Sequence, residues 1–201
     1  MNENREHGAD SGCGAMHLRK LEIKDAPLML EWMHDPGVVE KLRGCFLTKT
    51  LADAEAFISF SRRDQNNLHL AICSEEDEYM GTVSLKGLDR QNKSAEFAIT
   101  VRKCAMAKGY AWFGMEKIIR KGFGEMGLQS IYWCVSGENQ RAIRFYQKHH
   151  FQETEDVPQS ILEGYDSSQP LKWYRVQAGQ MNQITDENAG RKKENRKRDR
   201  D

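Results

Sequence analysis

The chain has 201 residues, which is enough for one well-packed domain with terminal segments. Thirty Lys and Arg residues balance thirty Asp and Glu residues, and this zero net charge argues against a general nucleic-acid-binding protein. Five widely spaced cysteines form no Cys-x-x-Cys pair, so we expect neither a metal site nor a disulfide framework, and a reducing cytoplasm is favoured. No stretch approaches about 20 consecutive apolar residues, so no membrane span is predicted.

Polar segments at both ends set the predicted domain boundaries. Residues 1–15 are rich in Gly, Ser and Asn, and we expect a disordered leader there. Residues 178–201 are predicted to form a disordered charged tail. Its basic run, Arg191–Arg200, is interrupted by Glu194 and Asp199, which favours a solvated tail over one that binds acidic surfaces. The folded domain is therefore predicted at residues 16–177.

The first part of that domain predicts one strand and two helices. His17–Ile23 alternates in part and is typical of a strand. Asp25 is expected to cap a helix with apolar positions at Leu28, Met29, Leu30 and Trp32. A Pro-Gly pair at 36–37 ends it, and Thr50–Ser61 keeps the apolar spacing of a second helix.

Three consecutive strands are predicted next, at Leu68–Cys73, Tyr79–Leu85 and Ser94–Val101. Short polar turns separate them, which indicates an antiparallel meander. A helix follows at Lys108–Phe123. Ile131–Val135 is apolar on both faces, which is typical of a buried parallel strand reached by a helical crossover.

The last elements are a helix at Glu138–His149, a strand that begins at Phe151, and a closing strand at Leu171–Val176. Val157–Pro170 is polar and is interpreted as a loop. The fold class is therefore α/β, in one domain.

One strand–loop–helix stretch, Ala95–Ala111, has the geometry of an anion site. Its strand ends in a small-residue loop that leads directly into a helix. Backbone N–H groups at a helix N-terminus are unpaired, and the helix dipole adds partial positive charge there. The sequence therefore predicts that this loop binds phosphate.

Two motifs show that the chain resembles the GNAT (general N-acetyltransferase) superfamily. Met106-Ala107-Lys108-Gly109-Tyr110-Ala111 is similar to the family's phosphate loop, Gln/Arg-x-x-Gly-x-Gly/Ala, except that Met106 replaces the leading Gln or Arg. Asn139 to Tyr146 matches the family's Asn-x-x-Ala-x-x-x-Tyr helix. The opening stretch LRKLEIKDAPLMLEWMHDP is most similar to the branch of ribosomal-protein N-terminal acetyltransferases, which also contains acetyltransferases of amino sugars, polyamines and antibiotics.

The resemblance implies a splayed, mixed and mostly antiparallel sheet with helices on both faces. It also implies direct acetyl transfer from acetyl-CoA to a primary amine, without a metal, in a monomer or homodimer. The acceptor is a protein N-terminus or a small amine. Trp32, His34 and Phe46 lie in the segment that covers the acceptor site in this family, although ordinary packing or surface exposure is the simpler interpretation of each.

The family resemblance also implies which residues of this chain contact the cofactor. The loop from Met106 to Ala111 would bind the pyrophosphate through its backbone, with a charge from Lys108. Ile99 and Val101 would pair their backbone groups with pantetheine, and Asn139 would contact the cofactor. Arg102 and Lys103 are either ligands of the 3′-phosphate or solvated surface charges.

The catalytic candidates are Glu96 and Tyr146. An alkylamine is mostly protonated at pH 7, so a carboxylate such as Glu96 is suited to accept its proton. The simpler alternative is that Glu96 pairs with a neighbouring strand. Tyr146 would protonate the departing thiolate, or would merely bury its ring on the sheet. The N–H of Ala98 or Ile99 is suited to polarise the acetyl carbonyl.

Two other classes of function stay open from the sequence. A catalytically inactive GNAT domain that senses acyl-CoA or acts as a scaffold is one, and Met106 agrees with it. The other is nucleic-acid binding through the basic tail, which would be strongly salt-dependent.

Overall fold

A computed structural model describes residues 15–166 and 170–184. Six strands form one sheet in the order β1-β2-β3-β4-β5-β6. Their bounds are His17–Lys20 (β1), Leu68–Cys73 (β2), Tyr79–Asp89 (β3), Ser94–Val101 (β4), Ser130–Ser136 (β5) and Leu171–Gln177 (β6). The α-helices are Ala26–Met33 (α1), Pro36–Val39 (α2), Leu51–Ser61 (α3), Tyr110–Gly124 (α4), Gln140–Lys148 (α5) and Gln159–Leu162 (α6).

The sheet is mixed and mostly antiparallel, as the sequence predicted. Neighbouring strands run antiparallel at β1–β2, β2–β3, β3–β4 and β5–β6. β4 and β5 run parallel, because α4 carries the chain across the sheet between them. This confirms the predicted meander and the predicted helical crossover.

Each face of the sheet packs against its own helices. On one face, α4 and α5 cover a core that includes Phe97, Met115, Trp133, Tyr146 and Tyr174. On the opposite face, α1, α2 and α3 cover a second core around Met29, Trp32, Val38, Ile58 and Tyr79. Because side chains alternate along a strand, each strand of the meander contributes to both cores.

The described structure continues past residue 177, where the sequence predicts that the folded domain ends. Residues 180–184 are helical, and Met181 and Ile184 are 3% and 9% exposed within the α4–α5 core. Two apolar residues in a mostly polar segment are enough to pack one helical turn against the core. The average composition of the segment, on which the predicted boundary depends, does not reveal them. The predicted leader, apart from residue 15, and residues 185–201 of the predicted tail lie outside the described residues.

Three local predictions also need correction. Asp25 does not cap α1 with its side chain; it is 1% exposed, accepts two hydrogen bonds from Arg19 and closes a capping box with Glu22. The segment 151–153 forms a single bridge, Glu153 to Tyr174, rather than a strand. The segment interpreted as a loop contains α6. In the described part, no helix is both long enough and apolar enough to cross a membrane.

Candidate active site

An opening in the sheet beside β4 is the central feature of the site. Parallel pairing with β5 covers only Ser94, Ala95 and Glu96. From Phe97 to Val101, β4 continues to pair with β3 alone. The two parallel strands therefore separate toward the C-terminal end of β4, and the backbone of residues 97–101 borders the gap on the side away from β3.

The loop from Met106 to Ala111 lies at the wide end of this opening. Ala107 and Gly109 both have left-handed backbones, with φ of 61° and 93°. Gly109 is the N-cap of α4 and provides no side-chain cap, and a Cβ on it would meet no atom within 4 Å. Unpaired first-turn N–H groups and open space before a glycine fit a phosphate group, so these residues fit the pyrophosphate of acetyl-CoA.

Met106, the irregular first residue of this loop, has a structural explanation. Its side chain packs against the α1–α3 core. The guanidinium of Arg141, at the start of α5, lies 2.9 Å from its sulfur. A cation from α5 therefore stands beside a loop whose family pattern begins with Gln or Arg.

Arg102 is not placed to bind a phosphate. Its side chain is 9% exposed and is held by Glu31 at 2.8 Å, by Glu78 and by the carbonyl of Tyr79. These carboxylates hold the pKa of Arg102 above its usual value, so Arg102 forms structural ion pairs with α1 and with the turn before β3. The neighbouring Lys103 is mostly exposed, 3.4 Å from Asp35.

The two α5 candidates differ in exposure. Asn139 is partly exposed and accepts a hydrogen bond from the N–H of Ala142 at 3.1 Å, so it is the N-cap of the helix. Tyr146 is 7% exposed, with its ring 5.4 Å from Trp133 and 4.9 Å from Tyr174. Burial raises the pKa of Tyr146 well above its ordinary value, so its phenol stays protonated at neutral pH.

Glu96 lies at the narrow end of the opening, on the α1–α3 face. Its Oε1 accepts a hydrogen bond from Lys86 at 2.8 Å and another from the Tyr165 hydroxyl. Lys86 stands directly opposite on β3, so the predicted cross-strand pairing is present. Burial and the Glu96 carboxylate raise the pKa of Tyr165, which therefore donates to the carboxylate and keeps it oriented.

A first cavity, of about 370 Å³, borders Glu96. We call it the charged cavity because Arg43, Lys86, Asp89 and Glu96 line it. The Arg43 guanidinium lies 3.8 Å above the ring of Tyr165 and donates to the carbonyl of Gly164 at 3.0 Å. This contact ties the segment after α2 to the segment after α6.

A second cavity, of about 330 Å³, borders Ala98, Ile99 and Thr100 of β4. We call it the aromatic cavity because Trp32, Phe46 and Phe57 form much of its wall. Ser84 and His69 line it in the same row of the sheet as Ala98, since Ser84 pairs with both in the strand register. The aromatic cavity therefore adjoins the stretch of β4 that borders the opening.

His69 is the polar group of most interest on that wall. Its Nδ1 lies 2.7 Å from the Ser84 hydroxyl, and its ring makes an edge contact with Phe57. Burial lowers the pKa of His69, a shift that Lys86 reinforces and Asp64 opposes. The imidazole is therefore neutral at pH 7.

Sequence reasoning found some of these groups and missed others. Trp32 and Phe46 line the aromatic cavity, whereas His34 is exposed and hydrogen-bonded to the carbonyl of Lys49. His69 could have been assigned to the α1–α3 face by alternation along β2. Tyr165 carried no signal, because it lies in the segment interpreted as a polar loop.

One group of possible metal ligands lies away from the opening. Ligand atoms of His17, Cys73 and Asp77 are within 4.8 Å of one another. Asp77 already accepts hydrogen bonds from His17, Arg19 and Lys24, and burial raises the pKa of the Cys73 thiol to about 12. The group is therefore an ion-pair network rather than a metal centre.

A mixed sheet that opens beside β4, with a glycine-capped helix start at the end of the opening, is the arrangement expected of an acyltransferase of the GNAT type. A family model described as an acetyltransferase (GNAT) domain matches residues 16–152. The chain therefore belongs to the GNAT family, and it is an acetyl-CoA-dependent N-acetyltransferase.

Similar proteins agree with this family. An uncharacterized N-acetyltransferase, p20, from Bacillus licheniformis is 27% identical over 155 residues, which cover 75% of this chain and 84% of p20. The spermidine N-acetyltransferase of Vibrio cholerae, solved with CoA and spermine, has a TM-score of 0.69 at 19% identity and covers 83% of this chain and 97% of its own. A probable acetyltransferase has a TM-score of 0.67 at 21% identity, over 81% of this chain and 93% of its own.

Proposed function

We propose that the acceptor is a small primary amine rather than a protein N-terminus, and that it reaches the acetyl group from the α1–α3 face. The observation that carries the proposal is the aromatic cavity beside Ala98, Ile99 and Thr100. Its volume of about 330 Å³ is at the small end of ligand pockets, which span about 300–1,000 Å³. The spermine-bound relative supports a small amine as the kind of acceptor.

Acetyl-CoA supplies the acetyl thioester. In the proposed arrangement, the backbone of Met106, Ala107, Lys108, Gly109, Tyr110 and Ala111 binds its pyrophosphate. Ile99 and Val101 offer backbone groups to pantetheine along the opening, and Asn139 borders the cofactor from α5. These contacts position the thioester for attack, and positioning accounts for a large share of the rate in such transfers.

Proton transfer is proposed to involve groups on opposite faces of the sheet. The amine loses a proton to Glu96, directly or through water, and its nitrogen lone pair then attacks the thioester carbonyl. An N–H of Ala98 or Ile99 stabilises the oxyanion. As the C–N bond forms and the C–S bond breaks, the thiolate takes the proton of the Tyr146 hydroxyl, and the second proton of the amine nitrogen passes through water to the phenolate, which restores the phenol.

A panel of acceptors tests this proposal. The full chain is incubated with acetyl-CoA and either small primary amines or short peptides with a free N-terminus, and the rate of CoA thiol release is measured. We expect release with small amines and little with peptides, because a peptide chain exceeds the cavity. Turnover on peptides alone would contradict the proposal. Binding of acetyl-CoA without turnover on any amine would instead favour a sensor.

A further inference from the structure

The charges and the apolar surface that line the two cavities determine which amines they can bind. Polyamines carry several positive charges, and burying them requires paired carboxylates, because an unpaired buried charge is costly. An amine attached to one ring or a short alkyl chain requires apolar surface instead. The two kinds of acceptor therefore need cavities of different chemistry.

The aromatic cavity has apolar walls and no surplus of negative charge. Met29, Trp32, Met33, Phe46 and Phe57 provide its side-chain surface from the α1–α3 side. Among the described residues that line it, the formal charges are those of Lys49 and Asp53, which cancel.

Besides Lys49, which is itself a cation, two titratable residues line this cavity, Asp53 and His69. One oxygen of the Asp53 carboxylate, Oδ2, accepts hydrogen bonds from the N–H and the hydroxyl of Thr50 at the start of α3, and its charge is balanced by Lys49 on the same lining. His69 is neutral at pH 7, because burial lowers its pKa.

The charged cavity offers no better site for a polycation. Its carboxylates are Asp89 and Glu96, and Arg43 and Lys86 balance them on the same lining. Glu96 is paired with Lys86, and Asp89 accepts two hydrogen bonds from Asn92. A polyamine entering here would meet two fixed cations.

The aromatic cavity also lies at the correct place for the acceptor body. Ala98 and Thr100 project onto the same face of β4 as Glu96, since side chains alternate along a strand. Two residues of strand separate Ala98 from Glu96, roughly 7 Å at about 3.3 Å per residue. An amine held in the aromatic cavity is therefore within reach of the proposed proton acceptor through one water.

We propose that the aromatic cavity binds the body of the acceptor, and that the preferred acceptor is a single primary amine attached to one aromatic ring or a short alkyl group. This inference rests on the proposed function and gives the class of its substrate. It departs from the polyamine of the solved relative, because neither cavity carries excess carboxylates.

The first experiment compares acceptors on the unaltered protein. We expect kcat/KM for phenethylamine to exceed that for spermidine by at least about tenfold, a ratio within the discrimination that an apolar pocket provides. A preference for spermidine would overturn the inference while leaving acetyl transfer to small amines intact. This comparison requires no variant, so it does not depend on the folding of one.

A matched pair of variants on α3 then locates the binding. Phe57 lines the aromatic cavity, whereas Phe60 on the same helix is 64% exposed and lies outside it. We expect Phe57→Ala to raise KM for phenethylamine by about fivefold or more, as expected for lost apolar contact, and Phe60→Ala to leave it unchanged. Equal KM values for the two variants would overturn the inference.

A binding measurement tests the cavity assignment separately from the proposed acetyl transfer. Calorimetry of phenethylamine with the CoA-loaded protein, and with the Phe57→Ala variant, measures the cavity directly. Binding that depends on Phe57, with no turnover of any amine, would contradict the proposed function and support the cavity assignment. No binding of phenethylamine, together with turnover of other amines, would overturn the cavity assignment alone.

Discussion

At the scale of single residues, burial determines what Tyr146 can do. Its ring packs against both Trp133 and Tyr174, and burial keeps its phenol protonated at neutral pH. A protonated phenol can donate a proton. To act as a base instead, Tyr146 would have to be a phenolate, which is stable only when it is exposed to water or paired with a cation. The same burial shows that the ring of Tyr146 contributes to the core. An experiment must therefore separate this packing role from proton donation by the hydroxyl.

Tyr146→Phe removes only the hydroxyl from this position. We expect kcat to fall by about tenfold or more while the affinity for acetyl-CoA changes little, because proton transfer in such steps contributes about 100-fold to 10,000-fold. Steady-state kinetics with an amine, together with calorimetry of acetyl-CoA, gives both quantities.

Tyr174→Phe is the matched control, since Tyr174 is fully buried in the same aromatic cluster and is stacked on Trp133. If both variants lose kcat equally, the hydroxyl of Tyr146 has no special role. Unchanged kcat in Tyr146→Phe would remove this residue from the mechanism.

At the scale of elements, α4 sets the position of the phosphate loop. Gly114 lets the helix approach β2 closely, because a Cβ there would lie 2.4 Å from Cδ1 and 2.9 Å from Cγ1 of Ile72. Ile72 is fully buried and has little freedom to move aside. The helix is therefore held against the sheet along a stretch that begins at the loop.

Gly114→Ala is expected to lower the free energy of unfolding by about 1–3 kcal/mol through overpacking, despite a gain in helix propensity of about 1 kcal/mol. Gly124→Ala is the control on the same helix, since its Cβ would meet no atom within 4 Å. Its stability should be unchanged or raised by less than about 1 kcal/mol. Urea unfolding measures both, and equal stabilities would show that α4 does not pack as closely as described.

Helices and strands whose apolar residues recur at regular spacing were predictable from the sequence. The meander, the parallel strand β5 and the helices α3, α4 and α5 carry apolar residues at strand or helix spacing, so local pattern was sufficient. Asp25 occupies the N-cap of α1 as predicted, but its carboxylate binds Arg19 on β1 and the N–H of Glu22 instead of capping the helix. The helix-cap pattern does not report these partners.

The candidate site was predictable in its backbone parts and less so in its side chains. Gly109 and Asn139 were identified through motifs, which record local geometry. Arg102 was wrongly considered as a phosphate ligand, because its partners Glu31 and Glu78 come from other elements. Likewise, the contact of Arg141 with Met106 joins α5 to the loop after β4 and appears only in the fold.

At the scale of the whole molecule, the sheet separates the residues proposed for the two proton transfers. The α4–α5 side carries Tyr146, and the phosphate loop leads into α4. The α1–α3 side carries Glu96 and both cavities. The opening beside β4 connects the two sides, so in the proposed arrangement acetyl-CoA binds at the loop and the amine enters across the sheet. The predicted monomer or homodimer stays a prediction, and one structure of the Vibrio cholerae relative is a dodecamer.

Calorimetric titration of acetyl-CoA into the unaltered protein, Gly109→Ala and Gly179→Ala tests this account most directly. The two glycines have nearly equal φ angles, 93° and 94°, and a Cβ on either would meet no atom within 4 Å. Both variants therefore place an alanine at the same positive φ, and only Gly109 lies in the loop proposed to bind the pyrophosphate. We expect Gly109→Ala to weaken binding by at least about tenfold, or about 1.4 kcal/mol, and Gly179→Ala to leave it unchanged. Equal affinity in all three proteins would contradict the assignment of this loop as the acetyl-CoA site.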